Sequence, residues 1–343
     1  MKARLIDVAA RAGVAPNTAS TILNNRSGSW ASKVTRERVL KAADELQYRP
    51  SKAAQAVRLG RFNTVGLVVP DLHNPYYPVL ADYMKTAFQK RKIDLVLEHT
   101  GNEFETEQLV FQTMLDRQVD GAVFYLGDSE LHREYLGELA QAGLPVVAFA
   151  ALTDEPLPVD SVVIDFREGF RQAIDLLVNN GHRRFAFLSA LGKGQGDGNR
   201  GELFKKLLSE KGIPSEDVNF VSCEHQIGSA RDAFLELINE TEDRRPTALI
   251  AMNDLSAIGA MRAAKEAGLS IPDDLSVVGV DDIPLGAYLP VALTTMAQPI
   301  EAMVLEATDL LMKRILKKGK PAATQSVFST FLKVRESVGM APE

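Results

Sequence analysis

Short polar side chains near the N-terminus are the first candidates for chemistry in this sequence. Residues 14–23 read VAPNTASTIL, a helical pattern that opens on Pro16. Proline fits the first turn of a helix, because its missing N–H is not needed there and its φ is already helical. Asn17 offers the donor and acceptor that pair with the edge of adenine. Hydroxyls that suit phosphate oxygens follow on Thr18, Ser20 and Thr21, of which the last can also meet a base edge.

The charge of the chain is unevenly distributed. Residues 1–61 contain 12 Lys and Arg against 4 Asp and Glu, a balance of +8, whereas the remainder contains 27 against 41, a balance of −14. Segregation on this scale predicts a basic arm that meets a polyanion and an acidic body that does not. The basic segment also carries strong apolar patterning, which argues against a solvated tail.

Residue sets for catalysis or metal binding are not readable. The histidines are scattered along the chain, at His73, His99, His132, His182 and His225. None forms an H-x₃-H pair, and His182 in GHRR is typical of a structural helix end. The single cysteine, Cys223, excludes a disulfide framework and a thiolate metal cluster, which fits a reducing, cytoplasmic setting. We therefore expect no cofactor, no signal peptide and no membrane span.

A glycine motif offers an enzymatic alternative. The sequence GDGNRG at 196–201 matches G-x-G-x-x-G, which binds NAD where it follows a strand and opens a helix. Glu224, the candidate ribose-binding acid, comes 28 residues after the first glycine of the motif, against about 20 in dinucleotide-binding folds. No general base accompanies the motif. A glycine loop that delivers Arg200 to a helix start is the preferred interpretation.

Three short helices are predicted in the basic arm. They run from about Leu5 to Ala12, from Pro16 to Asn24 and from Ser32 to Leu46. Gly13 is typical of a helix stop, and Ser32 is a good N-cap. The Ala-rich stretch at 51–59 is too short to be a stable isolated helix, so it predicts a linker that becomes helical only when something holds it.

From residue 63 onward the sequence alternates between strands and helices. Nine apolar strand patterns begin with TVGLVVP and end with LSVVGV, and helical patterns fall between them, for example at 79–90, 105–116, 170–179, 203–210 and 257–267. Continuous apolar strands that alternate with helices imply parallel sheets covered on both faces. The number of units suggests an α/β body of two doubly wound lobes.

The chain resembles the LacI/GalR family of bacterial transcription regulators in six segments that occur in one order. They read DVAARAGVAPNTASTILNN, TRERVLKAADELQYRPS, VGLVVPDLHNPYY, GHRRFAFL, RPTALIAMND and SVVGVDD…LTTMAQP. The resemblance implies an all-α helix-turn-helix headpiece at 1–49, a hinge helix at 50–61 and a core at 62–343 like periplasmic sugar-binding proteins. The implied N-lobe covers about 62–161 and 294–325, and the C-lobe about 162–293 and 326–343.

The resemblance also assigns residues to operator DNA. The second helix of the headpiece would lie in the major groove, with Pro16, Asn17 and Thr21 at the base-reading positions. Three residues depart from the family pattern: Ala15, which cannot cap this helix, Arg4 at the start of the first helix, and Thr21 where many members carry Arg. Trp30 could pack on the headpiece or on a sugar-phosphate edge. The full DNA-facing set is Arg4, Pro16, Asn17, Thr18, Ser20, Thr21, Asn25, Ala54 and Val57, with Val57 as the minor-groove wedge.

A second set of residues is implied for a small-molecule effector in the cleft between the lobes. Its members are Asp71, Tyr76, Tyr77, Asp165, Arg200, His225, Asn253 and Asp281. The tyrosines could stack on a sugar or base or simply pack, and His225 could be a contact or a surface residue. Ala150 and Ala151 replace a polar pair of many relatives, which predicts a roomier pocket.

These features together predict a ligand-responsive repressor that binds a palindromic operator as a homodimer. A sugar or sugar derivative is the favoured effector, with a nucleobase or another metabolite as the alternative. A solute-binding protein without regulation is disfavoured by the basic arm. The tail lacks apolar heptads, so a tetramerising coil is not expected.

Overall fold

The computed structural model describes residues 3–24, 31–49, 60–126, 133–153, 155–190, 200–241, 244–316 and 322–342. The chain divides into two compact units, Met1–Asn63 and Thr64–Glu343. Of the predicted hinge helix at 50–61, residues 50–59 lie outside the described part.

The described residues of the N-terminal unit form three helices, α1 Leu5–Ala12, α2 Pro16–Leu23 and α3 Lys33–Glu45. Their shared core consists mostly of small apolar residues, namely Val8, Ala9, Ala12, Ala19, Ile22, Val39, Ala42 and Ala43. Small side chains let three short helices approach closely, so that a unit of this size can exclude water from a common core. The three predicted helices are all present within one or two residues of their expected bounds.

Local capping explains where these helices begin and end. Gly13 adopts φ +64° after α1, a left-handed conformation that favours glycine. The hydroxyl of Ser32 accepts a hydrogen bond from the amide of Thr35 at the start of α3. At α2 the N-cap is Ala15, which provides no side-chain hydrogen bond. Pro16 follows it at the first helical position, where no N–H needs a partner.

The core unit begins with a six-stranded parallel sheet in the order β11-β5-β4-β3-β1-β2. Its strands are β1 Thr64–Val69, β2 Asp94–His99, β3 Gly121–Tyr125, β4 Val146–Ala151, β5 Asp160–Asp165 and β11 Gln325–Ser329. The helices of this N-lobe are α4 Tyr76–Lys90, α5 Phe104–Asp116, α6 Arg133–Ala142 and α11 Ile300–Leu316.

A second six-stranded sheet forms the C-lobe in the order β12-β10-β9-β8-β6-β7. Its strands are β6 Phe185–Ala190, β7 Val218–Cys223, β8 Ala248–Ala251, β9 Ser276–Val280, β10 Thr294–Ala297 and β12 Phe331–Lys333. Among the strands described, β12 alone runs antiparallel to its neighbour, β10. The helices are α7 Arg167–Asn179, α8 Arg200–Glu210, α9 Ile227–Glu240 and α10 Asp254–Glu266. The two sheets confirm the predicted α/β fold with two doubly wound lobes.

The chain passes between the two sheets three times. The passages follow Asp165, which ends β5, and Ala297, which ends β10, and the third is Thr330 alone, between β11 and β12. The amide of Thr330 donates to the carbonyl of Asp165 at 3.0 Å, so two passages are hydrogen-bonded to each other. Within the described part of the chain, no helix is both long and apolar enough to cross a membrane.

These passages lie a few residues later than the predicted lobe boundaries. The prediction divided the lobes near 161, 293 and 325, which misplaced most of β5 and β11 in the C-lobe and β10 in the N-lobe. The pairing partners correct this, because β5 and β11 continue the ladder of the first sheet and β10 pairs with β9 in the second.

Gly259 tests how tightly two helices of the C-lobe are packed, and Gly137 in the N-lobe is its control. A Cβ at Gly259 in α10 would overlap the carbonyl oxygen of Ile227 and lie 2.9 Å from the amide nitrogen of Arg231, whereas a Cβ at Gly137 in α6 would meet nothing within 4 Å. Alanine is favoured over glycine in a helix by about 1 kcal/mol, but overpacking costs about 1–3 kcal/mol.

We therefore expect Gly259→Ala to lower the melting temperature and Gly137→Ala to leave it unchanged or raise it. Thermal unfolding of both variants, followed by circular dichroism, measures the difference. Equal shifts in the two variants would contradict the close approach of α9 and α10.

Candidate functional site

Polar side chains of both lobes follow the carboxyl ends of parallel strands. Asp71 comes after β1, His225 after β7, Asn253 after β8, Asp281 after β9 and Gln298 after β10. In doubly wound folds the crevice at this edge of the sheet is the usual ligand site. The structure therefore assembles a candidate site at the edge where the sequence predicts it.

The carboxyl group of Asp281 joins the two lobes. Asn74 of the N-lobe donates from Nδ2 to Oδ2 of Asp281 at 3.2 Å, and Gln298 donates from Nε2 to Oδ1 at 3.0 Å. Burial raises the pKa of Asp281 to about 7, although the two amides and the charge of Arg200 favour the ionised form. Near neutral pH this carboxyl is thus balanced between its charged and neutral states.

The backbone at Asp281 is unusual. Its φ is +109° and that of Asp282 is +57°, both in the region that ordinary side chains rarely adopt. Below this turn, Asp254 accepts hydrogen bonds from the amide of Ile283 at 2.8 Å and from the hydroxyl of Thr295 at 2.6 Å. Burial, and then the charge of Asp281, raise the pKa of Asp254 well above its usual value. The hydrogen bonds of Asp254 therefore stabilise the turn in the conformation in which Asp281 contacts its amide donors.

Three tyrosines form an edge-to-face cluster in the N-lobe. The ring centroids lie 5.4 Å apart for Tyr76 and Tyr77, 5.8 Å for Tyr76 and Tyr125, and 5.2 Å for Tyr77 and Tyr125. The hydroxyl of Tyr76 donates to Oε1 of Gln298 at 2.7 Å. Burial raises the pKa of Tyr125 to about 12. Tyr76 is buried, whereas Tyr77 is only partly buried, so the packing interpretation describes Tyr76 better than Tyr77.

Arg200 occupies the start of α8. Its Nη1 donates to the backbone carbonyl of Met252 at 2.9 Å, and its guanidinium lies 5.0 Å from the ring centroid of Phe166. Its charge acts on Tyr77, His225 and Asp281. The carbonyl and the aromatic face hold the guanidinium among the candidate effector residues of both lobes.

Asp71 is more constrained than the sequence suggests. One carboxylate oxygen accepts from both the amide and Nδ1 of His73, at 2.8 and 2.9 Å, and the other accepts from the amide of Asn74 at 3.2 Å. Burial opposes ionisation, but the hydrogen bonds lower the pKa of Asp71 below its ordinary value. The charged group therefore shapes the loop that presents Asn74 to Asp281.

Two other predicted effector residues hold helix starts. Asp165 forms a bidentate pair with Arg167, with Nε at 2.9 and 3.0 Å and Nη2 at 2.7 Å, and also accepts from its amide. Asn253 is the N-cap of α10, where its Oδ1 accepts from the amide of Ser256 at 2.8 Å. Ala150 and Ala151 end β4, where Ala150 is buried and Ala151 partly buried. His182 is buried among Thr247, Ser276 and Gly339, a structural role.

On α2, the candidate DNA residues form a polar face. Pro16 and Asn17 are exposed, whereas Thr18, Ser20 and Thr21 are partly buried. The hydroxyl of Thr21 donates to the carbonyl of Asn17 at 2.8 Å, which leaves its oxygen as an acceptor and its methyl group as an apolar contact. At the start of α1, the exposed side chain of Arg4 lies 3.7 Å from Asp7.

Several sequence predictions fall outside the described residues. These are Asn25, Trp30, Ala54, Val57 and the part of the glycine motif at 196–199. Their assigned roles stay predictions.

Comparisons with known proteins agree over almost the whole chain. The family model "Bacterial regulatory proteins, lacI family" matches residues 4–51, and the model "Periplasmic binding protein-like domain" matches residues 174–338. The HTH-type transcriptional regulator DegA of Bacillus subtilis is 32% identical over 305 residues, which cover 88% of each chain. The chain belongs to the lacI family of bacterial regulatory proteins.

Two further relatives extend this result. The ribose operon repressor of Halalkalibacterium halodurans is 33% identical over 91% of this chain and 90% of its own. A solved complex of the transcriptional regulator CelR with cellobiose is 28% identical, with a TM-score of 0.69 over 98% of this chain and 99% of that one. This lacI-family chain is therefore a transcriptional regulator, as predicted, and the dinucleotide-enzyme alternative is set aside.

Sequence reasoning missed three residues of the site, Asn74, Tyr125 and Gln298. Tyr125 and Gln298 stand at or just after the carboxyl end of a parallel strand, which is the signal that identified Asp71 and Asp281. Applied to every strand, the same rule would have found both.

Replacing Asp281 with Asn should change how the free energy of unfolding depends on pH. The ordinary pKa of this carboxyl is 3.8 and the folded value is about 7, so the folded chain keeps a proton that the unfolded chain releases. The stability that this proton contributes is complete below the pKa of the group in the unfolded chain. It is lost as the pH rises through the pKa of the group in the folded chain.

We expect the native chain to lose stability relative to Asp281→Asn between about pH 5 and pH 8, with a slope that approaches about 1.4 kcal/mol per pH unit. Urea unfolding across this range measures the difference, with the exposed Asp273→Asn as control. Parallel curves for the native chain and Asp281→Asn would rule out a raised pKa at this site.

Proposed function

We propose that this regulator acts in the cytoplasm as a homodimeric repressor whose affinity for a palindromic operator is set by a sugar or sugar derivative in the core cleft. The observation that carries the proposal is the Asp281 carboxyl, which is hydrogen-bonded by both lobes beside Arg200 and a tyrosine cluster. A carboxylate accepts hydrogen bonds from neighbouring hydroxyl groups, and a guanidinium donates hydrogen bonds to them.

The relatives support this class of effector. One is named a repressor of a ribose operon, and a solved relative holds cellobiose. Aromatic rings beside a few convergent polar groups are typical of a small-molecule pocket. In this proposal, the alanines that end β4 predict a ligand larger than a monosaccharide. Within the site, Asp71, Tyr77, Arg200, His225 and Asp281 are the proposed effector-facing residues, while Tyr76, Asp165 and Asn253 support them.

Coupling between effector and DNA follows from the lobe connections. A ligand that prefers one arrangement of the lobes shifts the population toward it, by no more than its difference in affinity for the two arrangements. An effector that favours the DNA-incompetent arrangement induces transcription, and one that favours the other co-represses. Operator titrations with and without the effector distinguish the two.

On the DNA side, α2 supplies the base-reading residues. In this proposal Asn17 reads adenine, and Thr21 presents an acceptor and a methyl group because its hydroxyl donates to the Asn17 carbonyl. Thr18, Ser20 and Arg4 reach phosphates in this proposal. In a dimer, two such helices would read half-sites about one helical turn apart.

Variants of the headpiece test the DNA-binding assignment. A site is first selected from random DNA with the full chain, and its affinity is then measured by fluorescence anisotropy over a range of salt concentrations. Asn17→Ala should weaken binding to that site by about 10- to 100-fold with little change in salt dependence, because a bidentate base contact contributes about 1–3 kcal/mol.

In contrast, Arg4→Ala should lower the slope of log affinity against log salt by about 1. Lys265→Ala on the core surface is the control for loss of a positive charge. An Asn17→Ala variant that binds the selected site like the native chain would remove Asn17 from base reading.

A thermal-shift screen tests the effector class. The full chain is scanned with D-ribose, D-glucose, cellobiose and the common nucleobases. A true effector at 100 times its Kd should add roughly 2.7 kcal/mol of stability, and Asp281→Ala should abolish the shift. If a nucleobase stabilises the chain and none of the sugars does, the sugar proposal is wrong and a nucleobase is the effector.

A further inference from the structure

The N-cap of α10 fixes the orientation of one side-chain amide. The backbone N–H of Ser256 points at the side chain of Asn253, at 2.8 Å. An N–H can only donate, so the atom that faces it must be the oxygen Oδ1, and the amide nitrogen Nδ2 must point the other way. The capping bond thus removes the twofold ambiguity that an Asn side chain usually has.

The freed amide nitrogen meets a histidine from a different strand end. Nδ2 of Asn253 lies 3.3 Å from Nδ1 of His225. Because Nδ2 can only donate, Nδ1 must accept and cannot carry a proton. The neutral ring therefore carries its proton on Nε2, and protonation at Nδ1 would set two N–H groups against each other.

The surroundings keep this ring neutral. Burial and then the charge of Arg200 lower the pKa of His225 to about 4, against the opposing charge of Asp71. Arg200 belongs to the C-lobe and Asp71 to the N-lobe, so the ring lies within the influence of charges from both sides of the cleft. At neutral pH, His225 is one donor with a defined position.

We propose that His225 is a specificity-determining residue, held by Asn253 as an Nε2–H donor that reads an oxygen acceptor of the effector. Asn253 is the positioning residue. Arg200 also can only donate, whereas the ionised form of Asp281 can only accept. With that form, the cleft selects a ligand that has an oxygen acceptor on one edge and hydroxyl donors on the other. A sugar with oxygen at the His225 edge satisfies this, and an amino group there would face two donor-only groups.

This inference deepens the proposed effector cleft, but its first test needs no ligand. In the ¹⁵N-labelled full chain, long-range ¹H–¹⁵N correlation spectra report which imidazole nitrogen carries the proton, and His225→Gln assigns the signal. We expect the Nε2–H form with no titration above about pH 5. A proton on Nδ1, or titration near the ordinary pKa of histidine, would overturn the proposal.

A matched pair of variants separates positioning from folding. Asn253→Asp keeps an oxygen for the Ser256 amide, since Asp is also a good N-cap, but turns its second oxygen toward Nδ1. The proton should then move to Nδ1, or the ring should become charged at neutral pH. Ser256→Ala keeps the backbone N–H and should leave the spectrum unchanged. An unaltered His225 signal in Asn253→Asp would show that Asn253 does not set the tautomer.

The recognition step has its own readout. Glutamine can place an N–H near the position of Nε2, whereas asparagine places one near Nδ1. For D-ribose, D-glucose or cellobiose, whichever stabilises the native chain, His225→Gln should keep the Kd within about threefold and His225→Asn should raise it at least tenfold. Equal affinities in the two variants would overturn the reading role. If none of the three sugars binds, the sugar proposal fails, while the tautomer is still decided by the spectra.

Discussion

A carboxyl group buried between two lobes constrains the architecture of this core. A charge removed from water must be surrounded by donors or give up its ionised state. At Asp281 the donors come from separate parts of the chain, one from the loop after β1 and one from the passage after β10. The lobes, the passage and the strained turn after β9 therefore share one electrostatic centre, and a movement of any of them alters the hydrogen bonds of the others.

The sequence predicts the elements better than it predicts their starts. Runs of apolar residues predict the strands, and both sheets form from them. The helices α4, α8 and α10, however, begin at Tyr76, Arg200 and Asp254, about one turn before the apolar residues that predict them. The first residue of each of these helices is polar or aromatic, so it does not belong to the apolar pattern. A hydrophobic pattern locates the core face of a helix, so it misses the turn that belongs to the site.

Partners that are distant in sequence set the roles that could not be predicted. Asn253 looks like a ligand-facing amide until its bonds to Ser256 and His225 are known, and His225 is 28 positions away. Asp165 is engaged by Arg167 in the same way, although that partner is only two residues on. In the headpiece, by contrast, the helix bounds, the absent cap at Ala15 and the polar face of α2 depend on residues close in sequence, so they follow closely from it.

The single-residue passage at Thr330 has a mechanical consequence for the core. Two peptide steps through Thr330, each about 3.8 Å between consecutive Cα atoms, separate a strand of the first sheet from a strand of the second. So short a connection keeps the sheets from sliding far past each other without breaking a ladder, whereas a rotation that pivots beside Thr330 preserves both strands. Gly169 is pressed against this point, where a Cβ would collide with the threonine hydroxyl. A bulkier residue at position 169 would push against Thr330 at the pivot. The resulting displacements would be largest at the rim of the cleft that lies farthest from this point.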